Sequence, residues 1–357
     1  MPSATEEFRD KILLRQHYLA RVQNGTIKEL MVPYNTAKQE ILAKIESLEK
    51  IISGEVAATS TFTLDWRLQR LNAQLAEVNA VLDAAALEAS GKLDQTLIDV
   101  AFAEQEYYSA MLSNKFATIG VELMTVPYAH VDYAIANPLL GEHIGEKLLW
   151  SNAQAVRLMK QELIQSVISG EDLVRASRRL LGNPNIGITG LAGKKLRNRM
   201  QMIARSEIQY VSNQVQRSLY NASQEVLKGV QFCATLDRRT CLQCGSLDGR
   251  TFNFAEGMAD HTGPQIPLHP MCRCCYVPVT KSWKELGANA KEFPPGTRAA
   301  FDGQVPATMN YQQWLKTQDA NIQKKILGPK RHKLWSDGKV KFDKMATDRR
   351  ILKVSEL

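Results

Sequence analysis

Apolar residues recur at helical spacing through the first third of the chain. Phe8, Ile12, Leu19 and Val22 share one face of a first helix. Ile41, Ile45, Leu48 and Ile52 form a second stripe at steps of 4, 3 and 4, which Asn35 is placed to cap and Gly54 to stop. Glu40 with Lys44 and Glu46 with Lys50 add i,i+4 pairs on its outer face. The third stripe is the most regular: Leu64, Leu68, Leu71, Leu75, Val78 and Leu82 repeat as 4-3-4-3-4, the seam of a long helical hairpin or coiled coil. These stripes say how the chain packs and carry no chemistry.

The pattern then breaks. Pro127, Asn137-Pro138 and Gly141 predict a looped connection over 115–150, helices resume over 150–181, and LGNPNIGITGLAGKK interrupts them again. A long polar helix is predicted from Lys194 to Val226. If Leu196, Met200 and Ile203 are its buried stripe, Glu207 and Tyr210 continue it. A carboxylate on a buried stripe needs a cationic partner. Arg239 or Arg238 is the expected one, and a Glu207–Arg239 pair would lock this helix to the segment that follows.

Period-2 runs appear only beyond it. Val230–Leu236 and Tyr276–Thr280 read as two strands that pair, and Leu247-Asp248-Gly249-Arg250 as a turn between strands. After 281 the apolar density falls. PPGT at 294–297 reads as a linker, and Trp314, Leu315, Ile322 and Ile326 as a short helix stopped by Gly328-Pro329.

All six cysteines lie between Cys233 and Cys275. No secretory signal is expected, since the N-terminus has early acidic residues and no uninterrupted apolar core. No apolar run is long enough to span a membrane. A cysteine cluster in such a chain points to metal more than to disulfides. Cys241 and Cys244 make a C-x2-C knuckle, and His269, Cys272 and Cys274 make H-x2-C-x-C. Two close donors on a turn, a loop, then two more is the layout of a tetrahedral Zn2+ site. Five donors compete for four places. Cys241, Cys244, His269 and Cys272 are the first choice, with Cys274 the rival for either of the last two. Cys233 is expected to pack on its strand and Cys275 to face away from Cys274.

Four protein ligands leave no position for water, which argues a structural ion rather than a catalytic one. The alternative is a zinc-dependent enzyme acting on nucleic acid, with Asp237, Asp248 or Glu256 as general base. Against it, no HExxH, deaminase, GxSxG or kinase motif occurs. Asp248 and Glu256 are assigned to a turn and a loop, where their removal is expected to leave function intact. A zinc-finger regulator is disfavoured too, since no basic reading helix lies between the ligand pairs.

Charge refines the picture. Residues 281–357 hold 16 Lys/Arg against 8 Asp/Glu, which accounts for the whole net charge of +8. Lys324, Lys325, Lys330, Arg331 and Lys333 are the densest part and the expected contacts to DNA phosphates. A second basic stretch, Leu173 to Ser206, carries eight Lys/Arg and no acid.

Taken together, T-L-D-x-R-T-C-x-x-C-x-x-L-D-G-R over 235–250 and P-L-H-P-x-C-R-C over 267–274 resemble the signature of the phage head morphogenesis (minor head protein) family, of the phage Mu F type. Ala204-Arg205-Ser206-Glu207 resembles the A-R-T-E that precedes that module, with Ser for Thr. Tyr311-x-x-Trp314-Leu315, Ile326-Leu327-Gly328-Pro329-x-Arg331 and Gly338-Lys339 are similar to the segment that follows it in the long members. The extra thiol of Cys275 departs from the pattern. The resemblance implies a non-enzymatic minor virion component, inside the head near the portal vertex and in the host cytoplasm during assembly. Its implied partners are the portal protein, the major capsid or scaffolding protein, and packaged double-stranded DNA.

The expected architecture is mainly α. Residues 1–130 are helical hairpins or a bundle, and 131–228 a helical core with a long central helix. Residues 229–280 form a small α+β zinc-binding module with short antiparallel strands, and 281–357 a basic C-terminal extension.

Overall fold

The computed structural model describes residues 4–58, 64–121, 123, 136, 139, 143–169, 171–182, 190–254, 260–288, 297–301, 303–347 and 349–357. The expected turns at Pro127, Asn137-Pro138 and Gly141, the heart of the glycine-rich break, the prolines at 294–295 and Glu256 lie outside these residues.

Helices dominate the described chain. α1 (Ala4–Ala58) and α2 (Leu64–Ala117) are followed by α3 (Ile144–Ser169), α4 (Leu173–Leu181) and α5 (Leu191–Ala222). Next come β1 (Leu227–Cys233), the short α6 (Leu242–Leu247), β2 (Thr251–Asn253) and β3 (Cys275–Thr280). A hairpin of β4 (Thr297–Ala300) and β5 (Gly303–Pro306) precedes α7 (Tyr311–Thr317), α8 (Ala320–Leu327) and α9 (Pro329–Ser336).

Where the periodicity predicts two helices before residue 58, there is one. α1 runs through Pro33, Asn35 and Gly54 without a break. A proline inside a helix costs about 3 kcal/mol. The apolar stripe continues on both sides of it through Ile27, Leu30, Tyr34, Ala37 and Ile41, all buried. Packing of that face outweighs one lost hydrogen bond.

The chain divides into two compact units, 1–21 with 98–137 and 208–357, and 22–97 with 138–207. α1, α2 and α5 each contribute to both units, so each unit draws on separated parts of the chain.

In the unit built on 22–97 and 138–207, Lys44 of α1 meets Glu77 of α2 at 2.8 Å. Asn152 of α3 is fully buried, donates to the Leu82 carbonyl at 2.7 Å and to Asp83 at 3.2 Å, and accepts from the Tyr34 hydroxyl. Glu207 is buried as expected, but its partner is Lys147 of α3, at 2.7 Å, with the Leu139 amide at 3.1 Å. Arg239 is exposed and lies 3.8 Å from Asp237. The Glu207–Arg239 pair is therefore corrected to Glu207–Lys147. A lysine four-carbon stem can cross an apolar face and deliver its charge inside it, whereas Arg239 sits on an exposed turn. Burial pushes the Glu207 carboxyl up, opposed by the Lys147 ammonium.

In the other unit the partners again run in opposite directions. Glu7 pairs with Lys115, the Lys11 carbonyl accepts from Tyr107, and Arg15 pairs with Glu104 at 2.6 Å. Phe8 lies tilted against Phe116 with ring centroids 6.4 Å apart, Trp283 meets Phe116 edge-on at 5.9 Å, and Tyr108 meets Tyr220 edge-on. The sheet has the order β2-β1-β3 and is antiparallel, with Gly229 opposite Asn253 and Cys233 opposite Cys275. A Cβ on Gly229 would lie 2.3 Å from the Phe252 carbonyl oxygen, so only glycine allows the strands to close there.

The C-terminal segment, expected to be a basic tail, is folded. Tyr311, Trp314, Leu315, Leu327, Phe342 and Met345 are buried in one cluster with Leu236 and Leu242. Asn310 caps α7 with a capping box, Asp319 caps α8, and Gly328 (φ 78°) ends α8 just before Pro329 opens α9.

Removing one partner of a buried ion pair typically costs about 3–5 kcal/mol, against about 0–1 kcal/mol at the surface. Glu207→Ala is expected to lower thermal stability by the larger amount. Arg239→Ala should be near neutral. Calorimetric melting of both variants checks the reassigned pair, and equal small effects would return Glu207 to solvent.

Candidate metal centre

The knuckle is built from Asp237. Its carboxylate accepts from the amides of Arg239 and Thr240 at 2.9 and 3.1 Å, an Asx turn that starts the bend. Thr240 donates its hydroxyl to the Thr235 carbonyl at 2.6 Å. Cys241 then caps α6, its sulfur accepting from the Cys244 amide at 3.4 Å. Two thiols three residues apart are thereby set on the same side of one turn. Gly245 follows because a Cβ there would stand 2.5 Å from the Tyr311 ring.

The second donor group comes from 269–274. Met271 takes a left-handed turn (φ 60°), closed by the Cys272 amide on the His269 carbonyl at 3.1 Å. His269 Nδ1 lies 2.8 Å from the Pro270 carbonyl, which can only accept. Nδ1 therefore donates to that carbonyl, which turns Nε2 toward the thiols, where a metal would take the place of its proton. That Nε2 stands 3.3 Å from Cys241 Sγ and 3.2 Å from Cys244 Sγ. Cys244 Sγ stands 3.8 Å from Cys272 Sγ. Ligand atoms about 2.0–2.3 Å from a tetrahedral zinc are themselves about 3.5–3.8 Å apart. Cys244 and Cys272 have that spacing, and the two sulfur–nitrogen distances fall a little short of it.

Cys241, Cys244 and His269 form one group with ligand atoms within 4.8 Å of one another, and Cys244, Cys272 and Cys274 form a second, with Cys244 common to both. The cluster could hold a metal ion. All six cysteines are free thiols. Cys241 is drawn down to about 4 by its hydrogen bond with Cys244 and by His269, while the proton-sharing Cys244 is pushed up. His269 is raised to about 9 by Cys241. Thiols this close cannot all ionise unless a cation joins them.

Asp237 and Arg273 brace the two donor groups against each other. Arg273, between Cys272 and Cys274, grips the Asp237 carboxylate at 2.6 and 2.8 Å. Burial alone would raise the Asp237 carboxyl, yet Arg273 holds it below its ordinary value. α5 supplies a third brace. Gln209 donates to the Cys274 carbonyl at 3.2 Å and Asn213 at 3.4 Å, while Gln216 accepts from the Tyr276 amide at 3.1 Å. These amides perform the locking that sequence reasoning assigns to Glu207. Their 4-then-3 spacing is the available signal, and it is masked because polar residues on a helix ordinarily face solvent.

Cys233 and Cys275 face each other across β1 and β3, away from the donors. His261 is also outside the cluster. It is buried against Tyr276 with ring centroids 4.6 Å apart, and burial pulls it down to about 4.

Asp248 is no loose turn residue. Its oxygens accept from the Ala234 amide at 2.7 Å, the Tyr311 amide at 2.7 Å and the Arg298 guanidinium at 3.1 Å, and its side chain is wholly buried. It joins β1, α7 and β4 at one point. Sequence shows the Asp-Gly turn but not the amides that a later segment aims at it, so its removal is expected to cost stability. Among the described residues, the enzyme reading's proposed bases Asp237 and Asp248 are each engaged by an arginine. Four of the expected DNA contacts, Lys324, Lys325, Lys330 and Lys333, are exposed on α8 and α9. Arg331 differs, being half-buried with its guanidinium on the Leu352 carbonyl at 2.7 Å.

Residues 158–277 match the family model described as Phage Mu protein F like protein. No curated protein and no solved structure matches the chain. The matched stretch runs from within α3 to within β3 and contains all five donors, Asp237 and Arg273. Over this part the chain resembles phage head morphogenesis proteins of the Mu F kind.

Two outcomes test the site. Serine at Cys241, Cys244 or Cys272 is expected to remove bound metal and solubility together, whereas Cys274→Ser keeps one ion per chain, as measured by elemental mass spectrometry. Asp248→Ala is expected to destabilise by about 3–5 kcal/mol, because it strands a buried arginine and two amides. A melting point equal to wild type would show that Asp248 is dispensable.

Proposed function

We propose that this chain, with its phage Mu F-like segment, is a minor head protein that works at the portal, assisting head assembly and the packaging or delivery of DNA. It acts as a structural part and not as an enzyme, and its Cys241, Cys244, His269, Cys272 cluster holds one structural Zn2+. The observation that carries this reading is that the Mu F-like stretch contains the whole donor cluster and both residues of the brace across it. Bound there, zinc supplies no reaction. It fastens two turns to each other beside the apolar cluster of Leu236 and Leu242, and contributes its binding free energy to folding.

The long helices suit contact with other head components. α1 and α2 leave Leu14, Tyr18, Leu87 and Phe102 exposed, which favours a protein partner such as the portal, capsid or scaffolding protein. The exposed lysines of α8 and α9 favour packaged DNA. Among the described residues, no helix is long and apolar enough to cross a membrane.

Co-expression with the portal protein of the same phage tests the partner. Co-purification at fixed stoichiometry with zinc retained supports the reading, and a metal-loaded protein that never joins the portal contradicts it. For DNA, truncation at 281 is a poor probe, since it would uncover Leu236 and Leu242. Glutamine at Lys324, Lys325, Lys330 and Lys333 leaves the apolar cluster intact. The slope of log K against log salt should then flatten by about 0.9 for each of these lysines that neutralises a phosphate in the wild type. An unchanged slope assigns DNA binding elsewhere, with the basic stretch 173–206 next in line.

A further inference from the structure

A polar cleft of about 310 Å³ opens beside β1, away from the metal donors, bordered by Thr5 and Arg9 of α1, Gln231, Thr251, Arg298 and Thr308. Arg9 is 94% buried, and its guanidinium is held by the Ala307 carbonyl and the Gln231 side-chain carbonyl, both neutral. Among the described residues Arg9 has no carboxylate partner. Arg298 is 98% buried, and its two terminal nitrogens serve Asp248, Ala234, Met309 and Cys233. Asp248 neutralises the Arg298 guanidinium. The charge of Arg9 is left without a carboxylate in the cleft wall.

A buried cation with only neutral acceptors is costly unless an anion completes it. Guanidinium groups match tetrahedral oxyanions in both charge and geometry. Threonine hydroxyls at positions 5, 251 and 308 add donors around the same space. Its volume is that of about ten waters, enough for a phosphate and part of whatever carries it. We propose that this cleft is a binding site for a phosphate-type oxyanion, with Arg9 as its principal charge. The site stands apart from the metal cluster and does not depend on the head-protein reading.

Inorganic phosphate is the probe, titrated calorimetrically into the full metal-loaded chain against chloride at matched ionic strength. One phosphate per chain is expected, with a rise in Tm that chloride does not reproduce. Arg9→Gln should weaken binding at least about tenfold, since a charge-assisted hydrogen bond is removed. Arg9 also ties α1 to its neighbours, so folding of this variant is checked by circular dichroism. Thr251→Val, which keeps a β-branched residue on β2, should weaken binding without touching the fold. A short DNA duplex distinguishes the two sources of the group. Displacement of phosphate from wild type identifies a nucleic-acid backbone phosphate as the occupant, and failure to displace it identifies a free oxyanion. No chloride-independent binding, or full wild-type affinity in both variants, overturns the proposal.

Discussion

Two groups of sulfur and nitrogen donors that share Cys244 impose the constraint around which the neighbouring turns and braces are arranged. Left to themselves, adjacent thiols repel as they ionise. The chain meets this with polar braces. Asp237 shapes the turn that presents Cys241 and Cys244, and through Arg273 it ties that turn to Cys272 and Cys274. Gln209, Asn213 and Gln216 fix the backbone from 274 to 276 on the long helix. Each brace involves hydrogen bonds to backbone or a charged pair, so side chains of the right length are needed at fixed positions, and a hydrophobic substitute would not serve.

A second joint stands next to the first. Asp248 gathers β1, α7 and Arg298 of the C-terminal hairpin, and Tyr311 donates its hydroxyl to the carbonyls of Asp237 and Thr240 behind the knuckle. The folded C-terminal segment is thus continuous with the cysteine module. Its lysines project from helices that are anchored by Trp314 and Leu327, and their positions are set by the same contacts that support the cluster. In the reading proposed for this chain, a rigid module presents its basic surface at a defined place, which a free tail could not do.

Much of this is legible in the sequence because it rests on periodicity and spacing. The 4-3-4 stripes mark the long helices, the alternating runs mark β1 and β3, and C-x2-C with H-x2-C-x-C marks the five donors. What stays hidden depends on distance through space. Glu207 can be read as buried, but Lys147 lies sixty residues before it with nothing local to flag the match. The passage of α1 through Pro33 is hidden likewise, since the penalty is local while the compensating stripe spans several turns. Asp248 looks like a turn residue because it is one, as the Arg250 amide on the Leu247 carbonyl and the positive φ of Gly249 attest. Its second task is visible only when a strand and a helix fifty or more residues later come to meet it.

The most direct test of the account is X-ray absorption at the zinc edge on the purified, full-length protein. Three sulfurs at about 2.3 Å and one nitrogen at about 2.0 Å are predicted, with no light-atom ligand from water. A zinc-free protein, or a shell with an exchangeable water in the fourth position, would contradict a closed structural site and bring the catalytic alternative forward.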